Sequence, residues 1–545
     1  MTRLKWLACG VALFALLSLP SLATTALAQA TGGNIDGKAT DQQGGVLRGV
    51  TITAHNGATG FERVAITDSL GRCRITGLPV GAYDVRAELT SFATQTLKSV
   101  QVDVGTTAAV EFKLAVAGRT EEVTVAAPAV DVQKTSVGQV IAPAQIENLP
   151  LNGRQFGNLG ALVPGVGLGF HNDPTKSSQY APQVAGGTGR NINYQIDGGD
   201  NNDDTVGGLV QNFPLDSVGQ FNFSTYRFRA EYGRSYGGVL SVVTKSGTNT
   251  FAGSLFNYFR DRSLNARTST EKNNDVPKGD YRRWQYGGSL GGPIVRNRTH
   301  FFGSVERTQQ DTTQSVNTGG LFPEKDGVFA LPYRENISVG KLTHQLSSSN
   351  FLTMRYGFNN NSQPYGPNPL SPPDNWGTST NTFHSLNVNL SSVRSGTRLN
   401  ELLFQYSYFN NHIGENSTEP YQAFPGGVVV GQNPNTPQDT LQKTFQFRDD
   451  FTWTSGRHQW KRGVEFIAGP TLEFTFMVGQ SPAYILLQDS VTSPVSVIHY
   501  NGPTVAGGTG GGKVPNKQYG FYLQDAWRLS DRLLVDLDVR YDLIS

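Results

Sequence analysis

Charge is what this sequence has least of. Only 16% of its 545 residues are Asp, Glu, Lys or Arg, against roughly 25% in ordinary soluble domains. The 45 basic and 43 acidic residues nearly cancel, which removes the electrostatic case for a nucleic-acid partner. Cysteine is almost absent. Cys9 falls in an N-terminal apolar stretch and leaves Cys73 alone, so no internal disulfide frames the fold. Cys73 reads as a packed small hydrophobe rather than a nucleophile. The 8 histidines are scattered without an HExxH or HxxxH pair, so zinc hydrolysis has no support and no enzyme is expected. Past the N-terminus no apolar run reaches the roughly 18 residues of a helical membrane span. That excludes a helical anchor but leaves crossing by strands open.

What is present begins with a processing segment, residues 1–28. Arg3 and Lys5 supply positive charge, LACGVALFALLSL is the apolar region, and Ala26-Leu27-Ala28 offers a cleavage site before Gln29. Trp6-Leu7-Ala8 lacks the small-residue pattern of a lipidation site, so Cys9 leaves with the leader. The protein is exported. The remainder is long enough for several domains, since single cores stop growing near about 250–300 residues.

Three compositions follow. Residues 31–116 carry short β-branched runs such as GVTITAH, RVAITD and AAVEFKL, separated by turn residues at the spacing of a β-sandwich. Asp41, Gly44, Gly49, Thr67, Gly71, Leu78, Pro79, Gly81 and Tyr83 make this unit resemble the carboxypeptidase regulatory-like domain, grouped with carbohydrate-binding-like folds. Cys73 stands where that pattern has an aromatic. The resemblance is one of fold, without a peptidase site, and implies a spacer or docking module ahead of a sugar-binding one.

Residues 117–250 contain RTEEVTVAA, ENLPLNGRQFGNLGALVPGV, GRNINYQIDGGDNNDD and SVGQFNFSTYRFRAEYGRSYGGVLSVVTKSGTN. In this order they resemble the plug domain of TonB-dependent outer-membrane receptors, specifically the Oar-like group. The resemblance places Arg154, Asp197, Gly198, Gly237, Gly238 and Lys245 in plug motifs. Gly198, Gly199, Gly233, Gly237 and Gly238 are expected to permit tight turns and close backbone approach in a confined lumen. GGVLSVV would be a strand covered on both faces, TKSGTN a hinge, and FAGSLFNYFRD the first barrel strand.

Residues 251–545 alternate with period two. Met354, Tyr356 and Phe358 oppose Thr353, Arg355 and Gly357; Phe445, Phe447, Phe451 and Trp453 oppose Gln446, Arg448 and Asp450. Tyr519, Phe521, Leu523 and Trp527 oppose Tyr522 and Gln524, and Leu537, Val539 and Tyr541 oppose Asp536, Asp538 and Arg540. An apolar face against a strongly polar one is the transmembrane-barrel signature, but soluble sandwiches alternate in the same way, and aromatics in FNYF and HFFG tilt the choice toward lipid because they suit interfacial girdles. Phe447 and Phe521 are expected at lipid, Gln446 and Gln524 in a lumen where Gln446→Arg would be nearly silent. About eleven strands can be counted, half of the roughly 22 of a plugged transporter, and the abrupt end at Asp542-Leu543-Ile544-Ser545 suits a fragment.

Candidate sites are few. GGTGGGKV at 507–514 mimics a phosphate-binding loop, but Val514 replaces the metal-holding hydroxyl and Pro515 follows, so a flexible surface loop is expected and no cofactor. Asp197, Asp200, Asp203 and Asp204 supply oxygens enough for Ca²⁺, without the spaced Glu of a helix-loop-helix site; turn capping by these side chains is the favoured reading. Glu121, Glu122, Val123, Thr124 and Val125 resemble the TonB box, which would add a strand to the edge of the periplasmic TonB domain. An ordinary linker or a last sandwich strand is the alternative there.

The expected fold is mainly β: an N-terminal sandwich, an α+β plug at 117–250, then roughly half of a large antiparallel transmembrane barrel. The resemblance implies an energy-coupled receptor in the outer membrane with its N-terminal domain in the periplasm. Its partners would be lipid, TonB and a siderophore, oligosaccharide, peptide or protein ligand. A surface adhesion or glycan-binding protein that uses the barrel as an anchor is the runner-up. N-terminal sequencing of envelope protein should begin at Gln29, or at Thr31 by the alternative Ala28-Gln29-Ala30 site; a start at Met1 would refute export.

Overall fold

The computed structural model describes residues 32–116, 121–124, 137–170, 180–184, 186–235, 237–267, 269–273, 275, 277–476, 482–492, 495–500, 510–530 and 533–545. Residues 1–28, expected to be a processing segment, Val125 and residues 507–509 lie outside the described residues.

The first unit contains β1 (Gly32–Asp41), β2 (Thr51–Asn56), β3 (Phe61–Ile66), β4 (Arg72–Pro79), β5 (Gly81–Glu88), β6 (Gln95–Val102) and β7 (Thr107–Leu114). With β8 (Glu121–Thr124) they form two sheets, in the orders β4-β1-β7 and β3-β2-β5-β6-β8. Alternation sets the packing: in β3, Phe61 and Ala65 are buried while Glu62, Val64 and Ile66 face outward. Ile35, Ile52, Leu78, Val85 and Phe112 fill the space between the sheets. Tyr83 is fully buried and satisfies its hydroxyl by donating to the Pro79 carbonyl at 2.7 Å.

The second unit contains β9 (Val137–Ile141), α1 (Pro143–Asn148), β10 (Val166–Phe170), β11 (Tyr180–Val184), β12 (Ile192–Ile196), β13 (Gly199–Asp200), β14 (Val218–Tyr226) and β15 (Gly238–Thr244). Its main sheet has the order β13-β12-β15-β14-β9, with β15 at the centre, parallel to β12 and antiparallel to β14. Both faces of β15 are covered, which is why Val239, Leu240, Val242 and Val243 run almost without a polar break. Gly238 sits at φ 140°, and a Cβ there would meet the Ser224 carbonyl at 2.8 Å. Gly237 differs from expectation: its would-be Cβ finds Asn191 no closer than 3.5 Å, so the steric demand falls on its neighbour.

The third unit runs β16 (Ala252–Asp261), β17 (Tyr281–Val295), β18 (Thr299–Val316), β19 (Gly327–Gln345), β20 (Asn350–Tyr365), β21 (Gly377–Ser395) and β22 (Arg398–Glu415). It continues through β23 (Tyr421–Ala423), β24 (Val429–Val430), β25 (Gln438–Ser455), β26 (His458–Phe476), β27 (Ala483–Leu486) and β28 (Ser496–Tyr500). The last strands are β29 (Gly510–Lys513), β30 (Asn516–Ser530) and β31 (Leu533–Ile544). The long strands pair antiparallel in the order β16-β17-β18-β19-β20-β21-β22-β25-β26-β30-β31, eleven as counted from the alternation. Among the described residues β16 and β31 each pair on one side, so the sheet is open. The short connections 296–298, 346–349, 396–397 and 456–457 share one rim; 317–326, 366–376 and 416–437 share the other. On that second rim β23, β24, β27 and β28 form a small sheet over Phe424, Val428, Val430 and Leu486.

The two faces fall as the alternation requires. Phe447 and Phe521 are 37% and 48% exposed on the outer face, while Gln446 and Gln524 are buried at 1% and 2%. Beside the turn 456–457 the rings of Trp453, Trp460, His458 and Trp527 stack across three strands at 5.3–6.0 Å, an interfacial girdle. HFFG departs from its expected role. Phe302 points inward and joins the plug core with Val339, because its position in the alternation is that of His300 and Ser304. Residues 510–513 depart too: they form β29 on Glu473–Phe476 rather than a flexible loop.

Gln446 accepts the Asp200 N–H at 2.8 Å and donates to Glu465 at 2.9 Å, so the lumen beside it is packed, not open water. Gln446→Arg should therefore destabilise the protein, contrary to the expectation from alternation alone. Phe447→Arg should cost about 2–4 kcal/mol near the bilayer midplane, and Phe447→Leu little. Denaturant titration in lipid vesicles reads these differences.

Candidate functional site

The inner face of the wall holds the plug through charged side chains of β18, β19, β20, β26 and β31 and through amides of β21, β22 and β25. At the turn after β12, Asp197 takes φ 48° and its N–H donates to the Val242 carbonyl at 2.8 Å. Its carboxylate is thereby aimed at the wall. Lys341 Nζ of β19 lies 3.0 Å from Oδ1 and Arg355 Nε of β20 lies 2.9 Å from Oδ2. Thr244 donates its N–H and hydroxyl to the same carboxylate at 2.9 and 2.7 Å. Asn389 of β21 donates to the Asp197 carbonyl at 3.1 Å. Burial works against ionisation here, but Lys341, Arg355 and Thr244 hold the carboxyl below its ordinary range.

Further contacts ring the plug. Arg154 donates to Asp216 and to Glu306 of β18, with its guanidinium 4.1 Å from the Phe256 ring of β16. Gln442 and Gln446 of β25 accept the N–H groups of Asp204 and Asp200. Gln405 of β22 donates to the Asp200 carbonyl. A Cβ at Gly199 would meet Gln405 Oε1 at 1.9 Å, so glycine is needed for this approach. Arg229 pairs with Asp536 at 2.7 Å and Asp538 at 2.9 Å on β31. Glu231 pairs with Lys461 of β26, which also lies 3.0 Å from Asp450. Lys245, in the hinge, pairs with Glu147 of α1 at 2.7 Å.

The acidic run is thus consumed by cations and turns. Asp200 and Asp204 both pair with Arg234, and Asp203 accepts the N–H groups of Thr205 and Val206. No group of three acidic, His or Cys side chains that could hold a metal occurs among the described residues. In two stretches with the G-x-S-x-G spacing of a nucleophile, Gly233 to Gly237 and Gly287 to Gly291, neither serine is hydrogen-bonded to a histidine or carboxylate among the described residues. Ser235 Oγ donates to the Asn191 carbonyl and Ser289 Oγ meets Ser254 Oγ.

Glu121–Thr124 pairs parallel with Gln95–Lys98 of β6, as the edge strand of the sandwich sheet. One side of its backbone is committed there and the other forms the sheet edge. The sequence reading had not singled out Lys341, Arg355, Arg229, Glu231 or Arg234. The available signal was a lone cation on an otherwise amide- and hydroxyl-lined polar face, as in VGKLT and TMRYG.

The family model described as an outer membrane beta barrel domain matches residues 243–330 and 328–545, and the carboxypeptidase regulatory-like domain matches 34–115. Over 284 residues the chain is 28% identical to the TonB-dependent transporter Oar of Myxococcus xanthus, covering 49% of this chain and 26% of that relative. Among solved structures it is similar to the outer membrane transporter YddB of Escherichia coli, with a TM-score of 0.58 and 15% identity over 75% of this chain. It is also similar to a ferric enterobactin receptor of Pseudomonas aeruginosa (TM-score 0.52, 15% identity over 76%). The siderophore receptor PirA of Acinetobacter baumannii gives a TM-score of 0.51 at 16% identity over 77%. The chain spans 56%, 58% and 58% of those three structures.

Asp197→Ala should cost about 3–5 kcal/mol, because it leaves Lys341 and Arg355 buried without a counter-charge. Adding Lys341→Met and Arg355→Met should recover much of that loss in denaturant titrations. The depressed carboxyl also sets a pH dependence. Its contribution is complete above the unfolded value of about 4 and is lost as pH falls through the lower folded value. Protease accessibility of the plug should therefore rise only in acid, and Asp197→Asn should remove that step.

Proposed function

The chain belongs to the outer membrane beta barrel domain family, and on that premise we propose that it is the plug-bearing part of an energy-coupled receptor that transports its ligand across the outer membrane. It is an outer-membrane protein. The observation that carries the transport reading is the latch at Asp197. A barrel serving only as an anchor has no use for a folded unit joined to its wall by buried charges. A transporter needs such a unit to be held firmly yet released as a body. The polar inner face suits this, since hydrogen bonds lost on plug movement can be remade with water.

Glu121 to Val125 is the segment proposed to meet TonB. Strand addition demands little of side chains, and the edge position of Glu121–Thr124 leaves backbone groups on its outer side for a further strand. The relatives include siderophore receptors, which makes a ferric siderophore the first ligand class to try, ahead of oligosaccharide or peptide. Metabolite depletion by cells with and without the gene identifies the ligand. Deleting Arg119 to Ala127 should abolish that depletion while the amount of protein at the surface stays at the parent level. Depletion that survives the deletion would overturn energy coupling through this segment, whereas surface binding without any depletion would favour adhesion.

A further inference from the structure

The sandwich docks beneath the plug, against the rim of short turns. The Ala58 carbonyl accepts the Asn249 N–H of the hinge at 2.7 Å, and Phe61 meets Phe351 edge to face at 5.2 Å. Asp36 pairs with Arg528 of β30 at 2.7 Å. On the plug side Gln220 of β14 accepts the Val104 N–H and donates to Asp103, both at 2.7 Å. These contacts reach from the start of the barrel sheet to its penultimate strand.

Two adjoining cavities of about 100 and 150 Å³ lie between sandwich, plug and wall, and share Gly32, Gly77 and Glu401 in their linings. Asp197 and Val243, then Arg229 and Glu231, represent the plug in these linings; Asn56 and Phe61, then Asn34 and Arg74, represent the sandwich. Glu401 of β22 is 8% exposed and makes no hydrogen bond or ion pair among the described residues. From the sandwich side Arg63 is 5% exposed, and its Nε and Nη1 have no hydrogen-bond partner; Nη2 donates to Ser391 Oγ at 3.3 Å. The Glu401 carboxylate acts electrostatically on this guanidinium, and Lys461 of β26 attracts Glu401 from the wall side.

Burying either charge alone is expensive. Ser391, to which Arg63 donates, is the register partner of Glu401 between β21 and β22 and lines the first cavity with it, so the two charges lie near each other and attract without direct contact. Such a docked state is held by charge yet is readily surrendered, because undocking returns both groups to solvent.

We propose that the sandwich is a periplasmic gate: docked at the mouth it floors the cavities beneath the plug, and the Arg63–Glu401 attraction holds it shut. The inference rests on the transport reading only for what passes through; the gate itself is tested without ligand or partner. Thr343, which lines the first cavity and is 5% exposed, serves as reporter when replaced by Cys in a Cys73→Ser background. The full-length receptor in outer-membrane fragments is treated with a hydrophilic maleimide.

Arg63→Glu or Glu401→Arg should speed labelling about tenfold, the low end of what a desolvated charge pair contributes. The double exchange Arg63→Glu/Glu401→Arg should return the rate towards the parent. A disulfide between Ala58→Cys and Asn249→Cys should keep labelling slow even with Arg63→Glu, which separates gate opening from general unfolding. Parent-like labelling in the single variants, or a double exchange as fast as either, would overturn the gate. Loss of uptake with these rates as expected would count against the transport reading alone.

Discussion

Hydrocarbon offers no hydrogen-bond partner, so a chain that crosses it in strands must pair its backbone N–H and C=O groups with other strands. Most of this structure follows from that constraint. Antiparallel pairing over eleven long strands forces side chains to alternate between lipid and interior. The outer face takes Phe404, Phe447, Phe521 and Val539, and the inner face is left to amides, hydroxyls and paired charges. An inner face of that kind cannot be filled by an apolar core. Whatever occupies it must answer with polar groups of its own.

The plug does so through its loops rather than its strands. β15 and its neighbours bury their apolar side chains among themselves, while the turns after β12 and β14 present Asp197, Arg229 and Glu231 outward to the wall. Removing one partner from such a site costs more than the pair contributes, because the remaining charge stays buried. The latch is therefore strict about charge balance but modest in net strength. That combination suits a unit that must sit in one place and still be withdrawn. Phe302 and Val339 depart from this pattern as wall residues that complete the plug core, and Phe383 and Phe409 of the wall pack with Val210 of the plug.

The sandwich extends the same logic to the periplasmic rim. Its contacts with the barrel and the segment leading into it include one ring pair, the Asp36–Arg528 ion pair, the Arg63–Ser391 hydrogen bond and the Ala58–Asn249 backbone bond, far less than the apolar packing inside it. Interfaces of this polar, limited type between units of one chain favour relative movement. β8 joins the two functions physically, since the segment proposed to meet the periplasmic partner is a strand of the sandwich sheet.

Period-two alternation separated the two faces of the long strands, and with the segment-end aromatics and the plug resemblance it pointed to a transmembrane barrel. Met354 and Tyr356 against Arg355 state in three residues which side meets lipid, because a charge on the lipid face is costly towards the bilayer midplane. The covered strand GGVLSVV was legible for a similar reason: solvent exclusion on both faces leaves Ser241 as its one polar side chain. What stayed hidden was every relation between distant residues. Lys341 and Asp197 are 144 positions apart, and no local pattern says which carboxylate a lone lysine will meet. Nor could composition tell that Gln446 lies in a packed lumen, that Phe302 turns inward, or that Arg63 of the sandwich docks on Ser391 beside Glu401. Local periodicity is enforced by the surroundings of each strand, whereas partner choice depends on how plug, wall and sandwich are set against one another, and only the tertiary structure decides that.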